Sequence, residues 1–283
     1  MNIVLALNNF NNLTGSEMYV YELARVLAKR NHHVIILANE IGGEIAKRIQ
    51  DNGVDIFSFF SHPDIQADII HASQPLPTAY TLSKFPSVPH VVTIHSSLPF
   101  ETPMKDPHIL KYIIVRPEIA EVYPNLNTVL IYNGVDMNRF NRVKGTSTFR
   151  TKKKILFVGT MDHLRQHVIS DLIMRTEKDR NDLMLVSNIP SEIRTQLPNH
   201  VIPMHPQWDI EEYNKECDET AGIFLGRTTI EGWACGKPGW IYEVDQNGNI
   251  LDIKVTEPPQ DMTRFDIEFM TDRVLELYEE VKQ

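Results

Sequence analysis

Short apolar runs alternate with stretches of helical period along most of the chain, and that alternation restricts the fold to the α/β class. "NIVLAL" (2–7) has the length and composition of a buried strand. After the polar "NNFNNLTG" (8–15), "SEMYVYELARVLAKR" (16–30) places Val20, Leu23, Ala24 and Leu27 on one helical face. "NHHVIILA" (31–38) returns as a strand, completing a βαβ unit of the size that a parallel crossover needs.

The pattern continues as a helix over 42–53 and strand-like runs over 54–59, 67–73, 90–97, 111–117 and 127–136. It restarts at "KILFVG" (154–159), with a helix over 164–176 and further strands over 182–187, 201–206, 221–226 and 238–244. The C-terminal stretch is amphipathic, with Met270, Val274, Leu277, Tyr278 and Val281 on one face. Two successive βα arrays are expected, each with a parallel sheet. Their ligand is expected at the C-terminal ends of strands, in the cleft between the halves.

Between the arrays, "RFNRVKGTSTFRTKKK" (139–154) holds seven basic residues and no acidic one. It lacks apolar periodicity and reads as a surface linker and domain boundary. A basic arm for nucleic acid is the alternative. The formal net charge of −9 weighs against a surface built for nucleic acid or anionic membrane as a whole. The 283 residues suit two medium domains, and the two cysteines, Cys217 and Cys235, make no disulfide framework. A reducing, cytoplasmic setting is expected. The N-terminus reads as a strand and not as a signal peptide, and no membrane span is visible.

The common catalytic signatures are absent. There is no G-x-G-x-x-G after the first strand, no G-x-x-x-x-G-K-[ST] and no G-x-S-x-G. His163 and His167 are four apart but lack the glutamate of H-E-x-x-H, so no metal site is expected.

What remains is a set of polar groups at strand ends. Gly15 and Ser16 open a helix whose N-terminal N–H groups suit an anion or an oxygen-rich ligand; Thr14 or Ser16 acting only as a cap is the alternative. His95 closes "HVVTIH", where it either meets sugar hydroxyls or phosphate or is a satisfied structural histidine. Gly159 permits close backbone approach after a strand, and Arg165 offers positive charge to a diphosphate or is a surface arginine. In "GRTTIEGWACGKP" (226–238), Thr228 and Glu231 fit a capping box, with Gly236 and Pro238 ending the helix.

Taken together, "TGSEMYVYELARVLAKRNHHVIIL" (14–37), "ADIIHAS" with "HVVTIHSS", "VLIYNGVDMNRF" (129–140) and "IEGWACGKP" (230–238) resemble the retaining glycosyltransferases of glycosyltransferase family 4. The resemblance spans residues 1 to about 240. It implies a GT-B fold, with two Rossmann-like domains facing a central cleft: an acceptor-side domain over 1–145, a nucleotide-sugar domain over 146–262, and a final helix over 263–283 packing back toward the first domain.

The resemblance also assigns roles. Glu231 matches the glutamate that hydrogen-bonds the donor ribose, and the N–H groups of Thr228 and Thr229 would face the diphosphate. Gly15, with Ser16, matches the loop approaching the donor phosphate, and His95 the histidine near the transferred sugar. Gly159, Arg165 and Arg227 complete the donor set, with His95 and Arg165 as the catalytic pair. Two departures stand out. The second acidic residue, expected eight positions before Glu231, is replaced by Ile223, and the first basic residue after Gly159 is Thr160.

The implied activity is transfer of a hexose or pentose from a nucleoside diphosphate sugar to an acceptor hydroxyl with retention, without metal or other cofactor. The alternatives are a glycosyltransferase acting on hydroxylated bases in DNA and a non-catalytic nucleotide-sugar binder. Donor base, sugar, acceptor and oligomeric state are not readable from the sequence.

Overall fold

The computed structural model describes residues 1–141 and 152–282. Most of the basic segment, and with it the expected boundary between residues 145 and 146, lies outside the described residues. The chain forms two compact units: Met1–Gly134 together with the C-terminal stretch from Arg264, and Val135–Thr263.

The first unit runs β1 (Asn2–Phe10), α1 (Gly15–Lys29), β2 (His33–Ile41), α2 (Gly43–Asp51), β3 (Asp55–Ser58), β4 (Ile69–Ser73), α3 (Pro75–Lys84), β5 (His90–Ile94), β6 (Ile109–Ile114), α4 (Glu118–Val122) and β7 (Thr128–Leu130). Its seven-stranded sheet has the order β3-β2-β1-β4-β5-β6-β7, with parallel pairing throughout. Strands covered on both faces read as continuous apolar runs, and Ile3 through Leu7 of β1 are accordingly all buried.

The second unit runs β8 (Lys154–Val158), α5 (Gln166–Lys178), β9 (Asp182–Val186), α6 (Ser191–Arg194), β10 (Val201–Met204), α7 (Ile210–Glu216), β11 (Glu219–Ile223), α8 (Arg227–Ala234), β12 (Gly239–Val244) and β13 (Ile250–Thr256). Its order is β10-β9-β8-β11-β12-β13. Here the expectation of a parallel sheet is corrected at one edge, because β13 pairs antiparallel with β12. The two strands are joined by a short turn closed by Asp245, and so short a connection permits only antiparallel pairing. Two helices in the first unit, α3 and α4, also go beyond the sequence reading. α3 opens on Pro75 and Pro77, which a first helical turn tolerates but which read as loop in a sequence.

The final helix, α9 (Ile267–Val281), belongs to the first unit and is capped by Asp266, whose carboxylate accepts from Glu268 N at 3.0 Å. Met270, Val274, Leu277, Tyr278 and Val281 are buried, as their spacing requires. Gly134 explains how closely α9 approaches. A Cβ there would lie 2.7 Å from Ile267 Cα and 2.9 Å from Met270 Cβ, so the glycine of "YNGVD" makes room for the helix start.

Candidate functional site

In an open α/β sheet, ligands bind beyond the carboxyl ends of the strands where the strand order reverses. Each unit has one such point: between β1 and β4 in the first, and between β8 and β11 in the second. The sequence-predicted residues fall at these two points.

In the second unit, β8 ends at Val158 and is followed by Gly159; β11 ends at Ile223 and leads into α8. Thr228 Oγ1 donates to the Val158 carbonyl at 3.4 Å, which places the start of α8 beside the Gly159 loop. Gly159 N donates to Val186 O at 3.1 Å, and a Cβ at Gly159 would meet Phe157 and Arg165 at 3.0–3.1 Å. Close packing against these two side chains favours glycine there.

α8 begins two residues earlier than the capping-box pattern predicts, with the N-cap at Gly226 and not at Thr228. Gly226, with extended φ/ψ of −96°/178°, is the N-cap and no side chain caps the terminus. Thr228 and Thr229 are therefore the second and third helical residues, where N–H groups point out of the helix with no intrahelical acceptor. Glu231 sits a turn further in and is engaged by Arg227, whose Nε donates to Oε1 at 2.7 Å. Both side chains are nearly buried, at 10% and 7% exposure. The predicted cap is thus replaced by a buried i,i+4 ion pair. A Schellman arrangement ends the helix, as Gly236 N bonds Trp233 O and Lys237 N bonds Gly232 O, with Gly236 at φ 77°.

Two glycines press α8 onto its sheet. A Cβ at Gly232 would lie 2.5 Å from Thr220 Cγ2, and one at Gly239 would lie 2.6 Å from Thr229 Cγ2. Thr229 is fully buried, and its hydroxyl has no hydrogen-bond partner among the described residues. Arg165 precedes α5 and is paired: Nη1 reaches Thr160 Oγ1 at 3.0 Å and forms an ion pair with Asp162. The Asp162 carboxylate also accepts from Leu164 N and Arg165 N at 3.1 Å. Ser187, just past β9, is a residue that sequence reasoning missed. Its hydroxyl is buried without a hydrogen-bond partner among the described residues, and its N–H bonds Met204 O. A serine ending an apolar run was the only signal for it.

In the first unit, Thr14 is the N-cap of α1, and Glu17 at the third helical position accepts from its N–H at 3.1 Å. The same carboxylate also accepts from Asn11 N and Asn12 N at 3.1 Å, wrapping the loop around a buried charge. Gly15 has nothing within 4 Å of a would-be Cβ, and Ser16 follows it in the first turn. One turn further, Tyr19 packs edge-on against His95 with ring centroids 5.0 Å apart. His95 Nε2 lies 3.3 Å from Ser73 Oγ, at the end of β4. Asn8 N donates to Gln74 Oε1 at 3.0 Å, tying β1 to the residue after β4.

Behind His95 runs a buried chain of hydrogen bonds. Tyr278 OH meets His71 Nδ1 at 2.6 Å, His71 Nε2 meets Thr93 Oγ1 at 2.5 Å, and Thr93 Oγ1 lies 3.4 Å from Tyr19 OH. Burial, and secondarily the nearby His95, pulls the His71 pKa down to about 3. Burial pushes Tyr19 up to about 12. It also lowers the His95 pKa, opposed by the Glu101 carboxylate. Both histidines are therefore neutral at neutral pH.

The two switch points share one further feature. The residue immediately after the fourth strand of each sheet has positive φ without being glycine: Gln74 at 74° and Phe224 at 57°. Such backbone costs on the order of 1–3 kcal/mol and persists where the surroundings over-determine it. Among the described residues, no group of three side chains suited to a metal ion is found, and no helix is long and apolar enough to cross a membrane.

Two Rossmann-ordered units, each with its polar groups at the strand-order reversal, define the α/β GT-B architecture. Solved structures share it. A glycosyltransferase from Rickettsia africae ESF-5 is 15% identical, with 99% of this chain and 98% of that one aligned and a TM-score of 0.68. Anabaena Alr3699/HepE in complex with UDP-glucose is 16% identical over 98% of this chain and 99% of that one, with a TM-score of 0.73. An alpha-glucosyltransferase in complex with UDP and a 13-mer DNA containing an HMU base is 12% identical over 99% and 90%, with a TM-score of 0.60. No curated protein sequence matches the chain. The family model for Glycosyltransferase Family 4 matches residues 13–139, nearly all of them in the first unit.

Proposed function

We propose that this protein transfers a sugar from a nucleoside diphosphate sugar to an acceptor hydroxyl with retention of configuration. The observation that carries the proposal is the convergence in the second unit. The uncapped start of α8, the Gly159 loop and the Arg227–Glu231 pair meet at the β8/β11 reversal, held together by the Thr228–Val158 bond. The match to Glycosyltransferase Family 4 and the UDP-glucose bound by the Anabaena relative support the same reading.

On this proposal the N–H groups of Thr228 and Thr229 receive the diphosphate. Glu231 accepts from vicinal ribose hydroxyls, which a carboxylate can do with both oxygens. Arg227 and Arg165 stabilise charge on the departing diphosphate, the larger need when the sugar becomes oxocarbenium-like. Gly15, Ser16 and His95 keep the roles that the family resemblance assigns them. Glu231 then serves alone, because Ile223 ends β11 where relatives of the family carry a second acidic residue.

Calorimetry and thermal shift with UDP-, GDP- and ADP-sugars test the proposal, since a ligand of the native state raises its apparent stability. One nucleotide class should bind, and Glu231→Ala should abolish that binding. Absence of binding by all three overturns the donor site. Binding with no turnover of labelled donor, with or without acceptor, assigns a binding protein instead.

A further inference from the structure

The turn between β12 and β13 lies against the loop that carries Arg165. Gly248 N donates to Asp245 O at 3.1 Å, Asp245 N donates to Asn249 O at 3.0 Å, and Gly248 has φ 81°. A tight turn followed by a left-handed residue is a frequent way to close a hairpin, and the left-handed place favours glycine. The Asp245 carboxylate fixes the turn further. It accepts from Asn247 N, Asn249 N and Asn249 Nδ2, each at 2.8 Å.

Among residues 246–249 only Gly248 is buried. What covers it is backbone of the Arg165 loop: a Cβ on Gly248 would lie 2.8 Å from His163 O, from Leu164 Cα and from Leu164 O. Backbone gives way less cheaply than the end of a flexible side chain. Gly248 is therefore required twice, for its φ and for its missing side chain.

The contact falls at the end of the sheet where the donor site lies. β8 and β12 both run parallel to β11, so the turn after β12 and the loop after β8 leave the sheet on the same side. The loop from Gly159 to Arg165 is held from three directions. At its base, Gly159 N donates to Val186 O, and the Arg165 stem lies over Gly159, with Cδ 3.1 Å from where a Cβ would be. Within the loop, the Asp162 carboxylate accepts from Leu164 N and Arg165 N. On its outer side stands Gly248. Tyr242 OH donates to Asp171 at 2.9 Å, which also ties β12 to α5, the helix that follows Arg165.

We propose that Gly248 is a positioning residue for Arg165: the β12–β13 turn holds the 159–165 loop in the shape that presents the guanidinium to the donor diphosphate. The inference rests on the donor-site reading above and adds to it a residue that touches no substrate. A methyl on Gly248 must displace one of two backbones. Displacing His163 and Leu164 carries Arg165 with them, because the three are consecutive and share the Asp162 hydrogen bonds.

The test is a double-mutant cycle between Gly248→Ala and Arg165→Gln, read by calorimetry with UDP, GDP and ADP. Arg165→Gln should weaken binding of the nucleoside diphosphate that the wild type takes by at least about tenfold, the scale of a charge-assisted hydrogen bond. Gly248→Ala should weaken it by a comparable factor, and should cost nothing further once Arg165 is glutamine. Melting of each variant without ligand reports on the fold separately. If Gly248→Ala does not fold, Asp245→Ala takes its place in the cycle. That variant loosens the turn without adding an atom at the contact, and should act in the same direction. A turn of purely structural importance would lower the melting temperature and leave affinity unchanged, or weaken binding equally in both Arg165 backgrounds; either result overturns the proposal. So does unchanged affinity in Arg165→Gln. Binding of none of the three nucleotides by the wild type overturns the donor site itself, and the positioning role with it.

Discussion

Arg227 donates to Glu231 across one turn of α8 at 2.7 Å, with both side chains nearly withdrawn from water. Breaking a buried ion pair from one side leaves an uncompensated charge and costs about 3–5 kcal/mol, whereas removing both charges costs far less. Glu231→Ala should therefore melt well below wild type, and Arg227→Met/Glu231→Gln should recover much of the loss. Donor affinity separates structure from recognition: the double variant, though restored in stability, should bind the nucleotide sugar at least about tenfold more weakly, the size of a lost charge-assisted hydrogen bond. Recovery of affinity together with stability would assign the pair a purely structural role.

Gly232→Ala pits two effects of opposite sign. Alanine in a helix interior gains about 1 kcal/mol over glycine. The new Cβ, however, lies 2.5 Å from the fully buried Thr220, and overpacking of that kind costs about 1–3 kcal/mol. The clash should win and lower the melting temperature. Thr220→Ala in the same chain should return most of it. Gly134→Ala meets the backbone of Ile267 instead of a side chain, so a larger loss is expected there, with no equivalent rescue.

Arg165 is compensated by Asp162, and both side chains are one-third exposed. Asp162→Asn keeps the oxygen that accepts from Leu164 N and Arg165 N while removing the counter-charge. Affinity for a nucleoside diphosphate should rise about two- to fivefold at low salt, the scale of an exposed charge pair, and the gain should fade as salt is raised. Unchanged affinity would place Arg165 outside the diphosphate site.

His71 sits neutral in the core with its pKa down at about 3, against about 6.5 when unfolded. Below pH 6.5 the unfolded chain takes up a proton that the folded chain refuses, so stability falls as the pH drops from 6.5 toward 3, by up to about 1.4 kcal/mol per pH unit for this group. Above pH 6.5 the group contributes no slope. His71→Gln removes the titration, so the difference between the wild-type and variant stability curves should be flat above pH 6.5 and sloped below it. A difference curve flat throughout would show that His71 titrates normally. His95 and His90 are shifted the same way, and for that reason the measurement is made on the difference.

Much of the fold is legible in the chain because buried parallel strands are nearly all apolar and covering helices are amphipathic. Residues 2–7 and 154–159, for example, announce strands by composition alone. The face of α9 is likewise readable from Met270 to Val281, since helical period depends only on local geometry. α3 was not readable, because prolines at 75 and 77 mimic a loop. β13 alternates apolar and charged residues plainly enough, but the direction in which it pairs depends on the turn before it.

The candidate site divides the same way. The sequence by itself placed Gly15, His95, Gly159 and the stretch from Arg227 to Glu231 at strand ends, since motif spacing carries that information. It also fitted Thr228-x-x-Glu231 to a cap, because the local pattern is satisfied. Only the tertiary structure decided otherwise. The extended backbone at Gly226 starts α8 two residues earlier, and packing against Thr220 and Gly239 buries Glu231 where Arg227 can reach it. A cap and an ion pair use the same glutamate at nearly the same spacing. Burial, which is set by residues distant in sequence, selects between them.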